Sequence, residues 1–224
     1  MKPIVKFLSS RLSVKFYKRA LTYALLREQF PEVASLREYP DKPAIWTAAM
    51  EAAGGREAAI TYVEFGVYEG ESFRWFLANN TNPASKFIGL DSFRGLPEAF
   101  GKIPAGYFDL GGRVPVIDDP RAVLIPGWFK DTWDELARQL AGRENIVVNH
   151  DADLYSSTLF ELSRMDLLGK PYLCVFDEFT GPETLAAADY REAFGAKVEL
   201  MGKITVNGYA EQVLSRIVPG GSRD

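Results

Sequence analysis

Apolar residues follow two patterns along this chain, and the two alternate from residue 60 onward. Short β-branched or aromatic runs predict strands, which we place at 60–65, 87–91, 122–125, 146–150 and 172–176. Apolar residues at helical spacing predict helices between and after these runs, at 133–140, 157–168 and 182–194. Strands that alternate with helices predict an α/β architecture, in which a parallel sheet carries helices on both faces.

The end of the chain changes pattern. Two apolar segments, 198–206 and 209–217, flank Asn207-Gly208, and this dipeptide is the strongest two-residue hairpin signal. The predicted sheet therefore has seven strands, is mostly parallel, and finishes in a C-terminal antiparallel hairpin.

The first thirty residues differ in charge from the rest, and residues 1–58 are predicted to form an N-terminal helical extension or lid. A first helix is indicated by four apolar residues at helical spacing, Val14, Tyr17, Leu21 and Ala24. Basic residues occupy much of the remaining circumference of this helix. Four interpretations fit this helix: a lid over a substrate site, a subunit contact, a membrane-surface helix, or an ordinary peripheral helix with a solvated basic face. A second helix at 44–53 is indicated by Asp41 before it. The main domain is placed at 59–218, followed by a tail at 219–224.

Composition and charge narrow the functional classes. The 224 residues are 47% hydrophobic and 25% charged, which is ordinary for one globular domain, and the net charge of -4 gives no general attraction to nucleic acid. No stretch approaches the ~20 apolar residues of a membrane span, and no convincing signal peptide is present, so we expect a cytoplasmic protein without stable membrane insertion. The single cysteine, Cys174, excludes an internal disulfide and is interpreted as a buried small hydrophobe.

The segment that closes the first predicted strand carries the most informative motif. Glu64 ends the strand, Gly66 and Gly70 follow with Tyr68 between them, and Ser72 opens a helix. Dinucleotide-binding folds need G-x-G-x-x-G so that the backbone can approach a pyrophosphate, which a carboxylate two positions before the first glycine would repel. A carboxylate at that position instead suits a ligand with an ammonium group.

A second acid, Asp91, ends the next predicted strand about 27 residues after Glu64, close to the spacing at which an acid reaches a nucleoside ribose. S-adenosylmethionine has both a ribose and an amino-acid tail, so we predict that this turn and Asp91 bind it. Trp128, after the third strand, either flanks the adenine or is a core aromatic. The Gly- and Pro-rich segment 92–120 follows Asp91 directly and is predicted to be an active-site lid rather than a passive loop.

Acidic side chains also follow the fourth and fifth predicted strands. His150, Asp151 and Asp153 follow one strand, and Asp177 and Glu178 follow the other. Crowded like charges need a cation or protons, and we predict that Asp151, Asp177 and Glu178 hold Mg²⁺. Asp153 is interpreted as the cap of the next helix. His150, the single histidine, is a candidate general base, although strand alternation turns it away from the face that Asp151 addresses.

Five short runs along the chain, in order, resemble one protein family: 63–70, 89–98, 126–132, 151–158 and 176–179. Together they resemble the macrocin O-methyltransferase family, class I S-adenosylmethionine-dependent enzymes with a Rossmann-like sheet that modify sugar hydroxyls of natural products. The resemblance covers roughly residues 60–217. It implies that Glu64, Gly66, Asp91 and Ser92 line the cofactor site, and that Asp151 and the acidic pair Asp177-Glu178 hold a divalent metal. Metal-binding members of the family often carry two aspartates where this chain has that pair.

The sequence as a whole predicts an S-adenosylmethionine-dependent O-methyltransferase that acts on a small hydroxylated acceptor, such as a sugar or a glycosylated metabolite. The metal would lower the pKa of the acceptor oxygen, which then attacks the sulfonium methyl. Two alternatives stay open: a metal-independent methyltransferase with Asp151 or His150 as base, and a cofactor-binding protein without catalysis. A homo-oligomer is compatible with the sequence, and the acceptor is not specified by it.

Overall fold

The computed structural model describes residues 14–221. Its helices are α1 (Val14–Gln29), α2 (Lys42–Ala52), α3 (Glu71–Asn79), α4 (Phe129–Leu140), α5 (Tyr155–Asp166) and α6 (Pro182–Phe194), with a 3-10 helix at Pro31–Ser35. Its strands are β1 (Arg37–Glu38), β2 (Thr61–Phe65), β3 (Lys86–Asp91), β4 (Ala122–Pro126), β5 (Ile146–His150), β6 (Tyr172–Phe176), β7 (Lys197–Val206) and β8 (Tyr209–Val218). Predictions that concern residues 1–13 and 222–224 lie outside the described residues.

The strands form one sheet in the order β1-β7-β8-β6-β5-β2-β3-β4. Strands β2 to β6 pair in parallel, whereas β8 pairs antiparallel with both β6 and β7. The predicted α/β sheet with a C-terminal antiparallel hairpin is therefore confirmed. The sheet has eight strands rather than the predicted seven, because β1 adds to β7 in parallel. A strand of two residues is too short to leave a periodic signal in the sequence.

Strands β2 and β5 lie in the middle of the sheet, and every residue of both is buried. Successive side chains enter opposite faces: Val63 packs into a core with residues of α4, α5 and α6, and Tyr62 packs into a second core with residues of α2 and α3. Helices therefore cover both faces, as predicted. Cys174 on β6 is fully buried in the first core.

Local signals that predicted element ends correspond to observed backbone geometry. Asp41 caps α2 by accepting a hydrogen bond of 2.9 Å from the backbone N–H of Ala44. Asn207 and Gly208 have φ values of 52° and 80°, which are the positive values that a tight hairpin turn requires. Gly195 ends α6 with a φ of 68°.

Helix α1 packs against α6, and Leu25 and Leu26 contact the main core. Leu21, which the sequence pattern places on the same apolar stripe, is 51% exposed. The possible roles of this helix as a lid, a subunit contact or a membrane-surface helix stay predictions. Within the described part of the chain, no helix combines the length and the apolar character needed to cross a bilayer.

Candidate active site

The C-terminal ends of β2 to β6 open into a cavity of about 740 Å³. Ligands of parallel α/β sheets bind at this edge, where the loops that follow the strands diverge. Most of the predicted site residues line the cavity: Gly66, Tyr68, Gly70, Ser72, Asp91, Ser92, Trp128, Asp151, Asp177 and Glu178. Two predicted site residues, Glu64 and His150, are not among its lining residues.

The cavity has two halves. The turn half consists of the glycine turn with the end of β3 and its next residue: Gly66, Tyr68, Gly70, Asp91 and Ser92. The acidic half consists of the ends of β5 and β6 with the first residue of α2: Lys42, Asp151, Asp153, Asp177 and Glu178.

Gly66 is required by both conformation and space. Its φ is +86°, and a Cβ atom placed on it would lie 1.9 Å from the carbonyl oxygen of Asp151. Its N–H donates to the carbonyl of Leu90 at 2.9 Å. The glycine therefore allows the turn after β2 to lie directly against the end of β5, which brings the two halves of the cavity together.

Asp91 organises the turn half through its carboxylate. Oδ2 accepts hydrogen bonds from the backbone N–H groups of Val67 at 2.9 Å and Tyr68 at 2.7 Å, and Oδ1 accepts one from Phe93 at 2.7 Å. A carboxylate has about four lone-pair sites. Three are occupied by the protein's own backbone, so roughly one is left for a ligand hydroxyl.

Glu64 lies beneath the turn, fully buried, and the expectation that it meets the cofactor's ammonium group is not supported. The hydroxyl of Tyr62 donates to its Oε2 at 2.5 Å, and the hydroxyl of Ser72 donates to Oε1 at 2.7 Å. Burial raises the pKa of Glu64 to about 8, against the lowering effect of these two hydroxyls. Through these two hydrogen bonds, Glu64 ties β2 to the start of α3.

Aromatic side chains flank the opening of the turn half. Tyr68 is 39% exposed, and its ring meets that of Phe108 edge-on, with ring centroids 5.1 Å apart. Trp128 lines the cavity and is 38% exposed, which makes it accessible to a ligand rather than a core residue. Phe129 also lines the cavity, but its ring packs edge-on against the core residue Phe65 at 5.3 Å.

Segment 92–120 overhangs the cavity, in the position predicted for a lid. It folds through turns and two isolated bridges, and Leu96, Pro97 and Phe108 line the cavity from it. Glu98 accepts a hydrogen bond of 2.9 Å from the hydroxyl of Ser156, which joins the segment to the start of α5. Ser92 stabilises the start of the segment, because its hydroxyl accepts from the N–H of Arg94 at 3.1 Å. Opening and closure of this segment stay a prediction.

The acidic half crowds carboxyl groups away from water. Burial first, and then the charge of Asp177, raises the pKa of Asp151 well above its usual range. Burial and Asp177 raise the pKa of Asp153 to about 6, and burial and Asp153 raise that of Glu178 to about 7. Asp153 was expected to cap α5, but it lines the cavity with a φ of 61°, and the residue at the cap position is Leu154.

Lys42 contacts this group of acids. Its Nζ lies 2.9 Å from Oδ1 and 3.3 Å from Oδ2 of Asp177, and the side-chain amide of Gln212 also donates to Oδ1. Burial tends to lower the pKa of Lys42, but the charge and hydrogen bonds of Asp177 raise it overall. Lys42 therefore brings a positive charge to these acids from a segment distant from the strand-end motifs.

The predicted magnesium ligands Asp151, Asp177 and Glu178 share the acidic half but do not fit a metal site as they are arranged. Across the described residues, no three His, Cys, Asp or Glu side chains are grouped so that they could hold a metal ion. A divalent ion would also have to displace the Lys42 ammonium and the Gln212 amide from Asp177. The structure therefore gives no support for metal binding by this set.

His150 is fully buried and is not positioned as a general base. Its ring is stacked with Phe65 and Phe176, at centroid distances of 5.9 and 5.2 Å, and its Nδ1 lies 2.7 Å from Oε2 of Glu161. Side-chain alternation along β5 explains this placement, because Asp151 reaches the cavity from the next position.

Comparisons with known proteins agree with this architecture. No family model and no curated protein sequence matches the chain. Among solved structures, CalS11, a calicheamicin methyltransferase, is 19% identical, with 96% of this chain and 90% of CalS11 covered and a TM-score of 0.54. The O-methyltransferase NovP is 20% identical, with 77% of this chain and 78% of NovP covered and a TM-score of 0.53. The chain therefore has the Rossmann-like fold of these methyltransferases.

Sequence reasoning missed Lys42 and misassigned Asp153. Lys42 stands between the cap residue Asp41 and Pro43, so its position indicated only a helix start. Its partner Asp177 is 135 residues away, and no local pattern connects the two. The one available signal was the excess of acids at the strand ends, which calls for a nearby cation.

Proposed function

We propose that this protein transfers a methyl group from S-adenosylmethionine to a hydroxyl of a small acceptor. The observation that carries the proposal is that the glycine turn, Asp91 and the acids that follow β5 and β6 line one cavity of about 740 Å³. That volume falls in the range of small-molecule sites, roughly 300–1,000 Å³. The methyltransferase fold shared with CalS11 and NovP supports the same proposal.

The turn half would hold the cofactor. Asp91 keeps roughly one acceptor position for a ribose hydroxyl, and Gly66 keeps the backbone close enough for direct contact. Trp128 would flank the adenine, because it is partly exposed and lines the same cavity. When bound, the cofactor supplies a methyl group on a positively charged sulfur.

The acidic half would act on the acceptor. Asp151 follows β5 directly, its backbone carbonyl lies against Gly66 of the turn, and it lines the cavity, so its carboxylate would take the proton of the acceptor hydroxyl. The acceptor oxygen forms the new C–O bond as the C–S bond of the cofactor breaks, and the electron pair of that bond stays on sulfur. The proton stays on Asp151 until water removes it. Much of the acceleration would come from holding two substrates in one cavity.

The resemblance to macrocin O-methyltransferases favours a sugar or a glycosylated metabolite as acceptor, and membership of that family is part of this proposal. Segment 92–120 and Tyr68 border the cavity, so they would set which acceptor fits. The same resemblance implies Mg²⁺, but Asp177 is paired with Lys42, and no step is assigned to a metal here.

The test has a binding stage and a turnover stage. Calorimetry should show binding of S-adenosylhomocysteine and none of NAD. Radiolabelled methyl transfer should then be measured on a panel of nucleotide sugars, glycosides and phenols, with Asp151→Asn as the matched variant. We expect turnover on a glycosylated acceptor and its loss in Asp151→Asn with unchanged S-adenosylhomocysteine affinity. Tight NAD binding would refute the assignment.

A further inference from the structure

Lys42 is an unusual lining residue because it brings a positive charge into a group of acids from a distant part of the chain. It is the first residue of α2, and its Nζ lies 2.9 Å from Oδ1 of Asp177, directly after β6. Its side chain is 48% exposed, whereas that of Asp177 is 15% exposed. The ammonium therefore reaches from the cavity onto a carboxylate that is largely withdrawn from water.

Without Lys42, the described residues of the acidic half would carry carboxyl groups and no basic side chain. Asp151, Asp153 and Glu178 line the same half, and among the described lining residues the other basic side chain is Lys130. Lys130 belongs to α4 and pairs with Asp131 at 2.6 Å, so its charge is compensated there. Lys42 is thus the cation that meets the acidic half.

The carboxylate of Asp177 is already occupied by donors that a metal ion would have to displace. Lys42 approaches both carboxylate oxygens, and Gln212, which is fully buried on β8, donates its amide to Oδ1. An ammonium carries three N–H donors. The two contacts with Asp177 engage at most two of them, so at least one N–H is left on a residue that lines the cavity.

We propose that Lys42 is the resident cation of the acidic half: its ammonium takes the place that a divalent ion would need and holds Asp177 in position. If the proposed function holds, the hydroxyl oxygen of the acceptor accepts a hydrogen bond from the remaining N–H of Lys42. Asp151 then removes the proton from the same hydroxyl. Methyl transfer in this protein accordingly proceeds without a bound divalent cation.

The first test is Mn²⁺ binding, followed by electron paramagnetic resonance, which needs no acceptor. Four full-length proteins are compared: the wild type, Lys42→Met, Lys42→Arg and Lys170→Met. Lys170 is the matched control, because it pairs with Glu144 at 2.5 Å and is not a lining residue of the cavity. We expect Lys42→Met alone to gain a saturable Mn²⁺ site, at least roughly tenfold tighter than any in the other three, because the substitution removes a nearby positive charge and frees Asp177 to turn toward the other acids.

Three outcomes would overturn the proposal: Mn²⁺ binding by the wild type as tight as by Lys42→Met, binding by none of the four proteins, or equal binding by Lys42→Arg and Lys42→Met. The arginine variant separates charge from structure, because it keeps the cation and changes the shape of the side chain. Calorimetry with S-adenosylhomocysteine on the same proteins reports on the proposed function independently. A wild type that fails to bind it refutes that function and leaves the Mn²⁺ result to decide the role of Lys42.

Once an acceptor is found, a second test uses turnover. Exhaustive chelation should leave the wild-type rate unchanged. Lys42→Met should lower kcat and raise the acceptor KM with unchanged affinity for S-adenosylhomocysteine, and Lys42→Arg should restore part of kcat. A wild type that loses its rate on chelation and regains it with Mg²⁺ would contradict the proposal.

Discussion

The two halves of the cavity are built in different ways. In the turn half, neighbouring segments satisfy one another: Asp91 accepts three backbone hydrogen bonds from Val67, Tyr68 and Phe93, all within 24 residues of it. In the acidic half, carboxyl groups are brought together from two segments, after β5 and after β6, and Lys42 meets Asp177 from a third segment 135 residues away. The turn half is held together by hydrogen bonds within the protein. The acidic half gathers more carboxyl groups than Lys42 alone can neutralise.

This difference indicates that the two halves have different functions. A turn whose polar groups are satisfied before a ligand arrives is preorganised, which lowers the entropy cost of binding a constant ligand such as a cofactor. Crowded carboxyl groups with raised pKa values are costly to the fold, and such groups concentrate at functional sites. The difference supports the proposal that the turn half holds the cofactor and that the acidic half acts on the acceptor.

Gly66→Ala should give the largest effect, because it forces the two halves apart. The new Cβ would lie 1.9 Å from the carbonyl oxygen of Asp151, and φ is +86°. We expect a loss of more than roughly 3 kcal/mol in the free energy of unfolding, measured by urea denaturation. Gly101→Ala is the control, because its φ is also positive, at +60°, but a Cβ there meets nothing within 4 Å. It should cost only about 1–2 kcal/mol, and equal losses would contradict the steric argument.

The free energy of unfolding should fall as pH rises from about 4.5 to about 8. Folded Glu64 keeps its proton up to a pKa of about 8, whereas the unfolded chain releases it near the ordinary value of 4.5. Between these values the unfolded state binds fewer protons, so each pH unit costs up to roughly 1.4 kcal/mol for this group. Glu64→Gln should flatten the slope in urea titrations at several pH values. The exposed Glu57→Gln should not, and a slope unchanged by Glu64→Gln would refute the assignment.

Asp91→Ala should weaken binding of the cofactor in the turn half. The variant removes the charged acceptor of three backbone N–H groups and of the proposed ribose hydroxyl. We expect S-adenosylhomocysteine to bind roughly 10- to 150-fold more weakly by calorimetry, the equivalent of about 1.5–3 kcal/mol. Asp109→Ala serves as the control, because Asp109 accepts a similar backbone hydrogen bond from Gly111 at 2.6 Å but does not line the cavity. Unchanged affinity in Asp91→Ala would remove Asp91 from the site.

Ser156→Ala should give the smallest change in stability and sharpen the role of segment 92–120. It removes the hydrogen bond to Glu98 that joins this segment to the start of α5. We expect the free energy of unfolding to change by about 0.5 kcal/mol or less, while hydrogen exchange in the segment becomes faster. Ser163→Ala removes a hydrogen bond within α5, to Leu159, and should leave exchange in the segment unchanged. Identical exchange in both variants would identify a passive loop.

Most of the fold was predictable because its signals are local. Strands β2, β3, β5 and β6 are short apolar runs, and the Asn207-Gly208 dipeptide determines the hairpin turn. Strand β1 was not predictable, because its two residues are exposed and acquire their structure only by pairing with β7. The candidate site was predictable wherever a residue's place follows from the end of a strand, as it does for Asp91 and Asp151.

The sequence by itself determined the parallel sheet, its antiparallel end and the edge at which the acids collect, because side-chain period and strand direction are properties of each segment. Only the tertiary structure decided the partners of those acids. Glu64 is buried under the hydroxyls of Tyr62 and Ser72, and His150 is paired with Glu161 inside the core. Asp177 meets Lys42 because α2 begins beside the end of β6. Hydrogen bonds and charge pairs depend on distances of a few ångströms, and those distances are set by how the segments pack.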